Sequence, residues 1–551
     1  MKGGDMYLWY VSPFLLYIDV AEIRVRGEAM RHPFQAMDAI IVAALAAVVL
    51  SHSGCSRPVP HEERVSVPGS LSILPTDTVS ELISKAARVV PSERQLAWQA
   101  LEFQAFVHFG MNTFTDREWG QGTEDPKLFD PTDFTAGQWV EAVKAAGIRS
   151  LIVTAKHHDG FCLWPSRFTE HSVRSSPWRN GKGDVVGEVA AACRKGGLKF
   201  GVYLSPWDRH EPSYGDSPRY NDHFKNQLRE LLTNYGEISE VWFDGACAEG
   251  PNGKRQVYDW AGYYALIREL QPGAVISIIG PDARWIGNEA GVTRESEWSV
   301  IPVARFDDLP DEKSPGGIAG LDAQAADLGS FERIAAVARQ GGRLLWYPGQ
   351  VDVSIRPGWF YHAAEDDKVK TLDQLLDIYY TSVGGNAQLL LNIPPDKRGR
   401  IHENDTRRLK DLGDRLRATF AVNLAEGASS HRSGTVPIGD QAVKEGQPPS
   451  GANGDSPSFL KEYDLGSPKT FNVAMIKEDI QQGQRIESFA LDVWDGEDWI
   501  ETARGTTIGW KKLLRFPAVE SSKVRVRLMS SRCGLFLFTP ESFGLFLDPG
   551  R

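Results

Sequence analysis

The stretch 154–160 (TAKHHDG) sets two adjacent histidines and an aspartate directly after the apolar run Leu151-Ile152-Val153, where a buried strand would meet the surface. Histidine and aspartate are ligands of zinc and related ions, so one reading is a metal site built from His157, His158 and Asp159. Imidazoles and carboxylates also bracket hydroxyl groups, which both donate and accept hydrogen bonds, so a second reading is a sugar site. Neighbours on a strand point to opposite faces. Both histidines reach one ligand only if the strand has ended and the chain has bent.

Regular elements have to hold such a bend. From about residue 100, short apolar runs alternate with helical patterns, which is the signature of βα units around a parallel sheet. Strands are expected at 103–108, 150–154, 199–205, 241–243 and 275–279, with 344–346 and 388–391 supplying later ones. Helices are expected at 138–147, 185–194, 220–235, 258–270 and 406–420, and 290–335 reads as irregular. The count suits an α/β fold, a (β/α)8 TIM-like barrel over residues 90–420, followed by a C-terminal β-sandwich over 421–551. A Gly/Ser/Pro-rich linker is expected at 426–457, with sandwich strands at 489–493 and 524–528. The second domain reads as a packing partner for the barrel rather than a binding module.

Composition bounds the function. The chain has 551 residues, 42% hydrophobic and 24% charged, with a formal net charge of -11. That balance offers no basic face for nucleic acid or an anionic membrane. Sixteen Trp and fifteen Tyr supply both cores and the flat faces on which sugars stack. Within residues 1–60, read as a dispensable extension with a signal segment, Arg31-His32 precedes the apolar run 39–50, which has the length of a signal-peptide core. Cys55 after Gly54 resembles a lipoprotein cleavage site. Export to the periplasm or cell surface is therefore expected, with membrane contact only through a lipid on Cys55. Cys162, Cys193, Cys247 and Cys533 show no metal-ligand spacing and read as buried free thiols.

A barrel carries its site at the C-terminal ends of its strands. Those ends read His108-Phe109-Gly110, Lys156-His157-His158-Asp159, Ser205-Pro206-Trp207-Asp208 and Trp242-Phe243-Asp244-Gly245. Together with Glu118-Trp119-Gly120, this ordered set resembles the α-L-fucosidases of glycoside hydrolase family 29. The segments 284–291 (RWIGNEAG) and 352–361 (DVSIRPGWFY) are similar to the branch that prefers α-1,3- or α-1,4-linked fucose. The resemblance spans roughly 95–420. It implies an exo-acting, retaining enzyme on fucosylated oligosaccharides or glycoconjugates, with no cofactor and with sugar rather than metal at the histidines. Carried over position by position, the sugar contacts fall on His108, Glu118, Trp119, His157, His158, Tyr203, Trp242 and Trp359.

Retaining hydrolysis of a glycoside needs two carboxyl groups about 5 Å apart, one as nucleophile and one as acid then base. Asp244 is the candidate nucleophile, because it ends a strand of bulky residues and Gly245 lets the backbone approach a substrate. Glu289 beside Trp285 is the candidate acid, since a desolvated glutamate holds its proton near neutral pH. Glu295 and Glu297 compete for that role. Two departures from the family, Gln350 and the pair His210-Glu211, are expected around the leaving-group side. A lectin-like protein on the same scaffold would keep the pocket without needing both carboxyls, and a metal-dependent hydrolase would use His157, His158 and Asp159.

Overall fold

The computed structural model describes residues 67–304, 321–433, 459–532 and 542–550. The apolar run 39–50, Cys55, Cys533 and the linker residues from 434 to 457 lie outside them.

Eight parallel strands run through the first part of the chain: β1 (Phe103–Val107), β2 (Ser150–Lys156), β3 (Lys199–Leu204), β4 (Glu240–Phe243), β5 (Val275–Ile278), β6 (Arg284–Trp285), β7 (Gly349–Ser354) and β8 (Gln388–Asn392). They hydrogen-bond in the order β5-β4-β3-β2-β1-β8-β7-β6. A parallel bridge between Ser277 and Ala283 joins the two ends, so the sheet is a nearly closed barrel. Every position of β2 is buried, and a strand buried on both faces has to be covered by helices. The cover comes from α1 (Ala136–Ala145), α2 (Val185–Gly196), α3 (Ser217–Asn234) and α4 (Trp260–Leu270) after the first four strands, with α5 (Leu372–Ser382) and α6 (Glu403–Phe420) after β7 and β8. In α2 the buried Val185, Val186, Val189, Ala190 and Cys193 form one apolar stripe. The Asp184 side chain caps its start by accepting from the Gly187 N–H, and Gly197 ends it in the left-handed region at φ 72°.

Two sequence expectations are corrected here. Residues 344–346 are a strand, Gly342–Trp346, but outside the barrel: it pairs antiparallel with Val300–Val303 on one side and Ser70–Ile73 on the other. An apolar run reports burial and not which sheet supplies the partner. The barrel strand in this part of the chain is β7, where Gln350, Asp352 and Ser354 alternate with Val351 and Val353. Its inward residues are polar, so it shows no apolar run. The segment 290–335, read as irregular, contains the strand Val300–Val303 and the helix Phe331–Ala338.

The C-terminal part is antiparallel β throughout, with strands in the order Ser429–Ser433, Phe459–Ile476, Lys512–Ser531, Ile486–Trp494 and Trp499–Gly505, while Phe543–Phe546 pairs with the second of these. The start of the expected linker is therefore an edge strand, fixed by pairing Ser429–Ser433 with residues 460–464. Phe471, Phe489, Leu491 and Val526 lie in the core of this sheet. It is tied to the base of the barrel at Glu102, which bonds Lys511, the Trp510 indole (2.8 Å) and Lys477 (3.4 Å). Cys162 and Cys193 are buried free thiols; Cys247, expected to be buried, is exposed because it lies beyond the end of β4 in a surface loop.

Inside the barrel floor, fully buried Glu240 accepts four hydrogen bonds. Trp98 Nε1 (2.7 Å) and Gln104 Nε2 (3.0 Å) reach Oε2, while Ser277 Oγ (2.7 Å) and Gln350 Nε2 (2.9 Å) reach Oε1. Burial pushes this carboxyl's pKa up and the donors oppose that. All four lone-pair directions are occupied, which leaves none to carry a proton. Glu240→Leu strands these donors in an apolar floor, and thermal unfolding should register a loss of about 3–5 kcal/mol. Glu240→Gln keeps one acceptor oxygen and should lose less; a Leu variant as stable as wild type would show that the network contributes nothing.

Candidate active site

The strand ends open into a cavity of about 450 Å³. Of the residues singled out in the sequence, His108, Glu118, Trp119, His157, His158, Trp242, Asp244, Glu289 and Trp359 line it. Tyr203 stands behind the wall, fully buried, stacked on Trp242 at 5.3 Å between ring centres and donating its hydroxyl to Asp244 Oδ2 at 3.1 Å. Phe106, Ile278, Trp285 and Asp352 complete much of the lining and were not assigned a sugar contact from sequence. Period-2 alternation carries the signal for two of them. Phe106 lies two residues before His108 on the inward face of β1, and Asp352 two residues after Gln350 on β7.

Both neighbouring histidines reach the cavity because β2 ends at Lys156. The Lys156 ammonium turns away from it to Asp208 Oδ2 (2.7 Å) and Gln227 Oε1 (2.9 Å), all three side chains being buried. The chain then bends: Gly160 N–H returns to the His157 carbonyl at 3.0 Å, and Gly160 sits at φ 77°. The Asp159 carboxylate accepts from the Phe161 N–H at 2.7 Å and so serves the turn rather than the cavity. His157 and His158 end with ring centres 4.0 Å apart. Among the described residues, no group of three His, Cys, Asp or Glu side chains is placed to hold a metal ion.

The hydrogen-bond network fixes what each imidazole offers. Ser205 Oγ gives its single proton to the Trp207 carbonyl (2.7 Å), so it accepts from His158 Nδ1 (2.7 Å), and His158 Nε2 is left as an acceptor. Asn392 donates through Nδ2 to Ser354 Oγ and to the Trp359 carbonyl, which makes its Oδ1 the acceptor for His108 Nδ1 at 2.8 Å. His108 Nε2 is then also an acceptor. Asn112 Nδ2 donates to His157 Nδ1 (3.3 Å), so His157 keeps its proton on Nε2. Burial holds all three rings neutral, with His108 down to about 3 and His157 well below the usual range; for His158 the Asp244 charge pulls in the opposite direction. Two acceptors and one donor facing a polyol form a pattern suited to hydroxyls and unsuited to a metal ion, which needs lone pairs only.

Four carboxyls face the cavity. Asp244 takes the Tyr203 hydroxyl on Oδ2 and the Ala246 N–H on Oδ1 (2.7 Å), with His158 Nε2 at 3.8 Å. Glu289, on the rim after β6, takes the Trp359 indole at 3.3 Å. Its pKa is raised by partial burial and by the Asp244 and Glu118 charges, against the Trp359 bond. Asp352 is buried under Trp285, whose Nε1 donates to Oδ1 at 2.8 Å. Glu118 anchors the loop that carries Trp359: it accepts from the backbone N–H groups of Trp359 (2.9 Å) and Phe360 (3.2 Å) and meets His362 Nε2 at 2.7 Å. Burial opposes charge on His362, but its bonds to Asp116 and Glu118 outweigh this and raise its pKa.

The remaining candidates fall elsewhere. Glu297 is buried in an ion pair with Arg284 and Arg294, and neither it nor Glu295 lines the cavity. Gln350, expected near the leaving group, is fully buried in the barrel floor, where its Oε1 holds Trp242 Nε1 at 3.1 Å. His210 stacks on His171 at 4.0 Å and bonds the Gly122 carbonyl, and Glu211 holds the Ser213 hydroxyl at 2.7 Å; neither lines the cavity. A polar residue that departs from a family pattern is as readily a structural hydrogen bonder as a contact.

Comparison with known proteins gives one answer. The profile of the α-L-fucosidase family matches residues 84–295 and 335–419. The chain is similar to α-L-fucosidase 1 of Arabidopsis thaliana, 41% identical over 473 residues covering 83% of this chain and 88% of that one. It is also similar to a crystal structure from Bacteroides ovatus provisionally described as an α-L-fucosidase, with 48% identity, a TM-score of 0.79, and coverage of 88% of this chain and 78% of that one. A family 29 fucosidase of Ruminococcus gnavus in complex with fucose is 30% identical, with a TM-score of 0.68 over 87% of this chain and 99% of that one.

Ser205→Ala removes the acceptor that fixes the His158 tautomer while leaving the strand end intact. Loss of about 1–2 kcal/mol of positioning corresponds to a roughly tenfold drop in kcat/KM on an aryl fucoside, with the melting temperature little changed. Wild-type kinetics in this variant would show that the serine does not set the imidazole.

Proposed function

The chain belongs to the α-L-fucosidase family, and from that premise we propose that it releases terminal α-1,3- or α-1,4-linked fucose with retention, through Asp244 as nucleophile and Glu289 as acid then base. One observation carries the reading: two carboxyls share one cavity but sit in opposite environments. Asp244 accepts the Tyr203 hydroxyl and the Ala246 N–H, which hold its two oxygens in place. Glu289 is half withdrawn from water and faces the charges of Asp244 and Glu118, which favour the acid.

In the first step Asp244 attacks the anomeric carbon while Glu289 protonates the departing glycosidic oxygen, leaving a fucosyl ester on Asp244. Glu289, now ionised, takes a proton from water as that water attacks the same carbon, and the two inversions sum to retention. The histidine pattern of two acceptors and one donor supports recognition of the sugar hydroxyls, and the Phe106, Trp242 and Trp359 faces suit the apolar methyl of a deoxy sugar. The linkage part rests on the likeness of 284–291 and 352–361 to the branch with that preference. A lectin would have no use for a second carboxyl withdrawn from water beside the first.

Substitution separates the two roles. Asp244→Gly should abolish turnover on every substrate and regain part of it with azide, which can occupy the vacated space and attack the anomeric carbon. Glu289→Ala should lose about 10²–10⁴-fold on natural glycans and far less on aryl fucosides with good leaving groups. Equal losses on both substrate classes would remove Glu289 from the acid role, and release of β-configured fucose in an NMR time course would sink retention.

A further inference from the structure

The double displacement uses two carboxyls, and the cavity holds a third. Asp352 lies on the inward face of β7, is buried, and lines the same cavity as Asp244 and Glu289. Its Oδ1 is fixed by the Trp285 indole N–H. Among the described residues that line the cavity none is lysine or arginine, and the three histidines are neutral. Of the four carboxyls in this space of about 450 Å³ only Glu118 is hydrogen-bonded to a histidine, His362, and charges on the other three would repel one another, which favours a proton on at least one. Asp244 needs its charge for attack, and Glu289 exchanges its proton in each half of the cycle.

We propose that Asp352 works as a carboxyl that stays protonated through the catalytic cycle at neutral pH, donates a hydrogen bond to the bound sugar and positions it against Asp244. This deepens the reading of Asp244 and Glu289 as the reacting pair and rests on it. With Oδ1 accepting from Trp285, the proton sits on Oδ2, the oxygen free to donate to a hydroxyl. The charge balance supports this arrangement. Apart from Glu118, which His362 Nε2 meets at 2.7 Å, the site before attack carries the Asp244 charge alone; in the fucosyl-enzyme Asp244 is a neutral ester and Glu289 carries the charge. With Asp352 neutral, the reacting end of the cavity keeps one negative charge throughout. Burial pushes the Asp352 carboxyl up to about 8, with the Glu289 and Asp244 charges adding to the effect and the Trp285 bond opposing it. The other titratable groups on the cavity wall are Glu118 and the three neutral histidines.

The test is the alkaline limb of kcat/KM on an aryl fucoside whose leaving group needs no proton, because Glu289 does not contribute to that limb. Wild type should fall about tenfold per pH unit above about pH 8. Asp352→Asn, an amide that can still accept from Trp285 and donate to sugar, should be about three- to tenfold slower at pH 6 and level across the alkaline range. Trp285→Phe removes a bond that favours the carboxylate, so it should move the fall to higher pH. Fucose affinity measured by calorimetry should follow the same profiles. An Asp352→Asn profile that still falls with wild type, or a Trp285→Phe limb that does not move, overturns the proposal. If instead Glu289→Ala loses aryl and natural substrates alike, the acid assignment fails while the Asp352 profiles still report on Asp352.

Discussion

A charge buried at the floor of the barrel sets the terms for everything above it. Glu240 has no solvent access, so its four donors must all be present, and they come from β1 (Gln104), β5 (Ser277), β7 (Gln350) and the segment before β1 (Trp98). Each donor is useful only if its strand has the right register and tilt. The carboxylate therefore selects one closure of the barrel among those that hydrophobic packing would accept. Gln350 passes the constraint upward, since the same side chain that donates to Glu240 accepts from the Trp242 indole. One strand shows the whole ascent: Glu240, Trp242 and Asp244 follow at two-residue spacing on β4 and its end, from floor through aromatic wall to a carboxyl that faces the cavity.

A second buried pair does similar work at the rim. Lys156 and Asp208 are both nearly inaccessible and join the end of β2 to the loop after β3. Asp208 Oδ1 also accepts from the N–H groups of His210 and Glu211, so the lysine indirectly holds the loop in which Trp207 packs 5.1 Å from His158. Burial favours a neutral Asp208, but the ammonium and the N–H donors reverse this and hold its pKa down to about 2. The arrangement is costly in desolvation, and it makes the position of two adjacent imidazoles insensitive to fluctuations of either loop alone.

The sequence was legible where chemistry and periodicity coincide. Strands β1 to β5 are apolar runs of the right length, and their ends carry the residues that line the cavity. It was illegible where the barrel interior turns polar. β7 reads as a loop because Gln350, Asp352 and Ser354 face inward, and β6 is only two residues long, with no helix between it and β5. Gln350 reads as a leaving-group contact because an amide on a functional segment resembles one; its partners are Glu240, Gln104 and Trp242, more than one hundred positions away in the chain. Asp352 went unassigned for the converse reason. Its effect depends on Trp285 above it and on two carboxyls from other strands, and no local pattern reports such a meeting.

Closure of the sheet also governs the order in which the molecule can be made. Phe103 of β1 pairs with Leu389 of β8, so the first barrel strand to leave the ribosome waits for a partner roughly 290 residues away. Ser70–Ile73 waits nearly as long for Gly342–Trp346. At ordinary synthesis rates that is about 15–60 s during which β1 has an unpaired edge. The β1 to β5 half can pair in sequence as it emerges, each strand with the one before it, while the cavity, which takes Asp352 and Trp359 from a part of the chain made after β6, cannot exist until the barrel is almost complete. Hydrolytic competence and topological closure are thus a single event in the life of the nascent chain, and a truncated product would retain the histidine rim without being able to turn over substrate.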